Sequence, residues 1–94
     1  MNEITQALID EFKIRMKLSD DEDGNLMRIL QASVEDLTEK CGVYDINVSN
    51  RFKELVFERS RYVYNDALEY FNDNFLSQIN SLALANALIE VVTP

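Results

Sequence analysis

Residues 51 to 71, RFKELVFERSRYVYNDALEYF, constrain the fold of this chain more than any other stretch. At roughly 100° per residue, Phe52, Leu55, Val56, Val63, Ala67 and Tyr70 fall on one apolar stripe, and Phe57, Tyr64, Leu68 and Phe71 on a second. Only Glu54, Glu58, Arg61, Asn65, Glu69 and Asn72 mark a polar strip between them. A surface helix needs an apolar arc of about 100°. Two stripes on one helix demand more than one partner, and in a chain of 94 residues part of that surface is expected to meet another polypeptide, because contiguous apolar patches mark interaction sites.

That length gives one domain, 1–94, with no room for a second core or a deep substrate cleft. A hydrophobic fraction of 47% with only two Gly and one Pro excludes disorder and a turn-rich β fold. Net charge is −8 with no histidine, and the basic residues of the second half, Arg51, Lys53, Arg59 and Arg61, all precede Tyr62. Without a basic stripe there is nothing to grip phosphates, so nucleic-acid binding by counterion release is not expected. The single cysteine, Cys41, excludes an internal disulfide and reads as a small buried hydrophobe. The opening MNEITQALIDEF lacks the features of a signal peptide, and no apolar run has the length of a membrane span, so a cytosol-like compartment and no membrane are expected.

Along the chain, Ile4, Leu8, Ile9, Phe12 and Met16 recur at helical spacing and predict a first helix from about Glu3 to Lys17, with Glu11 and Arg15 supporting it at i, i+4. Ser19 opens S-D-D-E, the pattern of a capping box closed by Glu22, which predicts a second helix starting there with Asp20, Asp21, Glu22 and Asp23 in its first turn. Leu26, Leu30, Val34, Leu37 and Cys41 form its buried stripe, and Gly42 ends it as a left-handed cap. The connection from Val43 to Ser49 reads as extended, and Ser49 or Asn50 caps the long central helix, which is expected to run to about Asn72. A fourth helix covers about Phe75 to Leu88, and the tail from 89 to 94 is expected to be extended and flexible. The fold class is therefore all-α, a small antiparallel bundle of three to four helices around a long central one.

Chemistry is hard to place in this sequence. Aligning Gly24 with the glycine of a calcium loop puts Leu30 where a bidentate Glu is required, so that loop fails. Asp36 with Glu39, Glu54 with Glu58, and Asp66 with Glu69 have the spacing of magnesium-binding carboxylates on helices, but the phosphate-gripping basic cluster that a nucleotide hydrolase needs is missing. No enzyme activity, cofactor or metal is expected, and without His or an activated Cys a nucleophile has no base. Arg59 reads either as a side chain at the edge of the core, paired with a carboxylate, or as part of an inter-subunit ion pair. The candidate subunit interface is Phe57, Arg59, Tyr64, Asp66, Leu68 and Phe71.

Two blocks carry a resemblance. LIDEFKIRMKLSDDEDGNLMRILQASVEDLTEKCG, residues 8 to 42, and FERSRYVYNDALEYFNDNFLSQINSL, residues 57 to 82, together resemble the small helical head-tail connector, or adaptor, proteins of tailed bacteriophages, a family also described as DNA-packaging proteins. The chain departs from that pattern at Gly24 and in the compact linker from Val43 to Asn50. The resemblance implies a structural protein of the virion neck, present in the host cytoplasm before assembly. It implies a ring of about twelve subunits beneath the portal protein, extending the DNA channel and receiving the stopper or tail-completion protein. An acidic wall suits such a conduit, since DNA passes it without being held. The C-terminal segment, with Leu84, Leu88, Val91 and Val92, is the candidate portal contact that the resemblance implies. Two other classes compete with it: a small acidic binding module that mimics DNA charge to inhibit a host protein, and a magnesium-dependent helical nucleotide hydrolase.

Overall fold

The computed structural model describes residues 3–19 and 22–92, the last four of these by backbone alone. Five helices make the fold, α1 Gln6–Met16, α2 Asp23–Cys41, α3 Asn50–Tyr64, α4 Phe71–Asn74 and α5 Leu76–Val92, with a 3-10 turn over Leu68–Tyr70, and no strand occurs among the described residues. The all-α class follows.

Each helix start has a local cause. Thr5 Oγ1 accepts from the Leu8 amide at 3.3 Å to cap α1, and Ile4 and Ile9, at the positions of a hydrophobic staple, are both buried. Ser49 Oγ accepts from the Phe52 amide at 3.2 Å to cap α3. The S-D-D-E box does not form. Helix α2 begins at Asp23 after Glu22, with no side-chain cap bond, because the Glu22 carboxylate is engaged elsewhere: it accepts from the Tyr64 hydroxyl at 2.7 Å. Asp20 and Asp21 lie outside the described residues.

The long central helix is the main correction. It stops at Tyr64, where Asp66 takes a left-handed conformation with φ 57°, the Ala67 amide donates to the Tyr62 carbonyl at 2.8 Å, and the Asp66 amide donates to Val63 at 3.1 Å. Those two bonds are a Schellman motif. Asn65 and Asp66, whose short side chains tolerate that backbone, end the helix eight residues short of the expected end near Asn72. The turn sends the chain back, so that Phe71 enters the core beside Tyr62 and Phe75, at centroid distances of 5.7 Å and 5.1 Å respectively. Helix α1 ends in the same way at Lys17, φ 58°, with Leu18 donating to Lys13 and Lys17 to Ile14.

Helix α2 is the spine: α3 packs along it, α5 crosses both α2 and α3, and α1 lies against α2. One core joins them, with Phe12, Leu26, Leu30, Leu37, Phe52, Val56, Phe57 and Phe71 almost fully buried. Phe12 meets Phe57 at 5.6 Å between centroids, and Tyr44 stacks on Phe52 at 5.6 Å. Cys41 is buried within it, and that burial raises its thiol pKa. The linker is a turn, not an extended strand. Asp45 organises it, accepting from the Asn47 amide through its carboxylate and from Val48 and Ser49 through its carbonyl, while Ile46 plugs into the core. Gly42 has φ 92° and ψ −178°, outside the left-handed helical region expected of it but in a region that only glycine adopts readily. The backbone of 89–92 continues α5 where an extended tail was expected.

Candidate interaction surface

Three layers of side chains decide what this surface offers. The first is a set of ion pairs that ties helices together within the chain. Arg15 reaches from α1 to Glu54 at 2.7 Å and to Glu58 at 2.8 Å on α3, and Lys53 on α3 returns to Glu11 at 3.0 Å. The Glu11 and Arg15 spacing therefore serves α1–α3 docking in place of an intrahelical pair. Burial alone would raise the Glu58 pKa, but hydrogen bonds from Arg61 and then Arg15 outweigh it and hold the carboxyl below its ordinary value. Gln6 first, and then Lys13, likewise hold Asp23 low.

The second layer is a polar chain between α2 and α3. Arg59 donates through Nε to Asp36 at 3.1 Å and through Nη1 to Ser33 at 3.1 Å. Ser60, fully buried, lies 2.7 Å from the Val56 carbonyl and 2.9 Å from Ser33 Oγ. A hydroxyl has one proton to give. If Ser60 gives its proton to Val56, Ser33 donates to Ser60 and accepts from Arg59, and every member is satisfied. Lys40 extends the chain, holding Asp36 at 2.9 Å and Asn72 at 2.8 Å. No buried side-chain nitrogen or oxygen is left without a partner among the described residues.

Placed on this framework, the six candidate interface residues separate. Phe57 and Phe71 are each 1% exposed and belong to the chain's own core. Arg59 is committed to Asp36 and Ser33 of the same chain, and Tyr64 to Glu22. These four are not free for a neighbour: Phe57 packs on Phe12, Arg59 bonds to α2, Tyr64 bonds to Glu22 just before it, and the break at Asp66 turns Phe71 inward. Asp66 and Leu68 remain exposed. The candidate magnesium carboxylates Asp36, Glu54 and Glu58 each carry an Arg or Lys partner, and among the described residues no group of three or more acids, Cys or His has the arrangement to hold a metal.

The third layer is what the fold leaves uncovered. Leu68, Tyr70 at 60% and Leu76 project from the bend and the start of α5, and Leu84 at 62% and Leu88 at 55% from the outer side of α5. The opposite side of α5 is buried through Ile79 and Leu82, with the Leu82 carbonyl accepting from Tyr44 at 2.6 Å and Asn86 donating to the Val43 carbonyl at 3.1 Å. Asp66, Glu69 and Asp73 are exposed in the same bend and have no cationic partner among the described residues. No Lys or Arg follows Arg61 in the chain. Of the candidate portal-contact residues, Leu84 and Leu88 are exposed, while the side chains of Val91 and Val92 lie outside the described residues. No helix among the described residues is long and apolar enough to cross a membrane.

The molecule measures 47 × 26 × 17 Å, and its radius of gyration, 13.6 Å, exceeds the roughly 12.4 Å of a compact domain of this length. Its accessible surface of 6038 Å² compares with about 5600 Å² for a compact chain of equal mass. Comparisons with protein-family models, with curated proteins and with solved structures found no match to this chain.

Proposed function

We propose that this chain is a structural subunit of a tailed-phage neck, joining the portal to the stopper or tail-completion protein as one member of a ring, with DNA passing through and not specifically bound. The observation that carries the reading is the outer side of α5, where Leu84 and Leu88 stand exposed on a helix whose backbone runs on to Val92. A partner that covers this stripe removes apolar surface at about 25 cal/mol per Å². The acidic excess supports the conduit role, since a repelling wall lets a duplex slide. Localisation in the virion, with host cytoplasm before assembly, belongs to the same proposal.

Mixing the chain with the portal and imaging the mixture by electron microscopy tests it. A ring seated on the portal, lost when Leu84 and Leu88 are both changed to Asp in a chain that keeps its helicity, is the expected result. A chain that remains single beside portal and stopper overturns it. The exposed Asp66, Glu69 and Asp73 support a second reading, an acidic binding module for a host nucleic-acid-binding protein. That reading predicts a one-to-one complex with the host protein and no portal binding.

A further inference from the structure

A small cleft of about 150 Å³ opens between the first turns of α3 and α5, lined by Arg51, Glu54, Leu55, Phe75, Gln78 and Leu82. Its floor is apolar, with Leu55 and Leu82 nearly buried and Phe75 half-buried. Its rim is polar and holds an unneutralised cation. Arg51 donates through Nη2 to Ser81 Oγ at 2.6 Å and has no carboxylate partner among the described residues. Among the described residues six of the nine Lys and Arg are in ion pairs, and Arg51, like Lys17 and Arg28, is not. The Ser81 bond fixes one nitrogen of the guanidinium and leaves its other donors for a ligand. The Gln78 side chain makes no hydrogen bond among the described residues, which leaves its amide and carbonyl free on the same rim. Glu54 also lines the cleft, but both of its oxygens accept from Arg15, at 2.7 and 3.0 Å, which offsets its charge.

Volume and chemistry together select a ligand. A cavity of about 150 Å³ holds a group the size of benzene, which is one branched or aromatic side chain and no more. The charge on the rim calls for an anion, and a planar guanidinium matches a carboxylate. An apolar side chain and a carboxylate that leave the same carbon atom describe the last residue of a polypeptide. A glutamate side chain does not fit as well, because its carboxylate ends a polar arm and leaves the apolar floor empty.

We propose that this cleft binds the free C-terminal carboxylate of a polypeptide ending in a large apolar residue, with the side chain on Leu55, Phe75 and Leu82, the carboxylate on Arg51, and the last peptide group within reach of Gln78. The site is separate from the outer side of α5 and does not depend on the neck assignment.

The test uses the full chain, labelled with ¹⁵N, and three probes: N-acetyl-leucine, N-acetyl-leucinamide and N-acetyl-glycine. N-acetyl-leucine is expected to give saturable shifts confined to amides around Arg51, Leu55, Gln78 and Leu82. The amide probe, without the charge, and the glycine probe, without the side chain, should each bind about tenfold more weakly or not at all. Arg51→Gln, at an exposed position, should keep the rest of the spectrum and lose the preference for the acid over the amide. Gln78→Ala should weaken the acid with less effect on that preference. Absence of saturable shifts, equal binding of acid and amide, or undiminished preference in Arg51→Gln each overturns the proposal.

Discussion

Truncating Phe71 to Ala separates the two roles that this residue could have. Its ring is 1% exposed and sits 5.7 Å from Tyr62 and 5.1 Å from Phe75, on a segment that turns back only because the chain breaks at Asp66. A buried Phe→Ala change costs about 3–5 kcal/mol, of which part is transfer and part the cavity left behind. A chain of 94 residues has about 5–14 kcal/mol of stability in total, so the variant loses from about a fifth of it to nearly all of it. At about 4–8 °C per kcal/mol, the melting midpoint should drop by about 12–40 °C. Thermal unfolding followed by circular dichroism at two concentrations an order of magnitude apart is the assay. An intramolecular core predicts the full drop at both concentrations. An interface residue would instead leave the dilute midpoints of variant and wild type together and make the wild-type midpoint rise with concentration. A change below about 3 °C at both concentrations would refute the packing described for the bend.

The two glycines should respond with opposite signs to the same substitution. Gly24→Ala, with open space around a new Cβ on an exposed helical turn, should stabilise by about 0.5–1 kcal/mol. Gly42→Ala, where the Cβ would meet the Asn86 side chain at 2.5 Å on a backbone at φ 92°, should destabilise by about 1–3 kcal/mol, and urea titration of both variants checks the pair. Lys17→Gly should stabilise by about 1 kcal/mol, because the left-handed conformation at φ 58° costs any residue with a Cβ. For Glu58, the folded carboxyl titrates below its ordinary value of 4.5. Its contribution is therefore present above about pH 4.5 and lost as pH falls through the folded value, and Glu58→Gln should flatten the fall in urea midpoint between about pH 6 and pH 3. An equally steep fall in that variant would place the acid sensitivity elsewhere.

Local signals in the sequence were sufficient wherever one residue's chemistry settles one piece of backbone. The Ser49 cap, the buried stripe from Leu26 to Cys41 and the interior position of Cys41 are read directly from residue type and spacing. Signals failed where a second element competes for the same group. The Glu22 carboxylate has the spacing of a capping box, but Tyr64, 42 residues away, takes it. Glu11 and Arg15 fit an i, i+4 pair, but each finds a partner on α3. The break after Tyr64 did have a signal, since Asn65-Asp66 is a pair that leaves helices easily. The apolar period continuing through Leu68 and Phe71 hid it, because a hydrophobic stripe read at constant pitch cannot register that the chain has reversed direction.

That reversal moves the question of where this chain meets others. Were α3 to run straight to Asn72, Phe57, Tyr64, Leu68 and Phe71 would form one outward ridge. With the turn at Asp66, Phe57 and Phe71 close the core and Tyr64 holds α2, so the surplus apolar surface passes to Leu68, Tyr70, Leu76, Leu84 and Leu88. Those residues follow the last basic residue of the chain, Arg61. Apolar side chains in a field of one sign are selective: they attract a partner with basic groups around an apolar patch and repel a second copy of the same acidic segment. Any contact between copies must therefore pair this segment with a different face of its neighbour, and such unlike-to-unlike contacts are the kind that close into rings. Salt supplies the check. If a partner docks here, raising ionic strength should slow its association, and Asp66→Asn, Glu69→Gln and Asp73→Asn together should remove most of that dependence while leaving the helical content unchanged. An association rate that ignores both salt and the three substitutions would show that the acidic bend plays no part in docking.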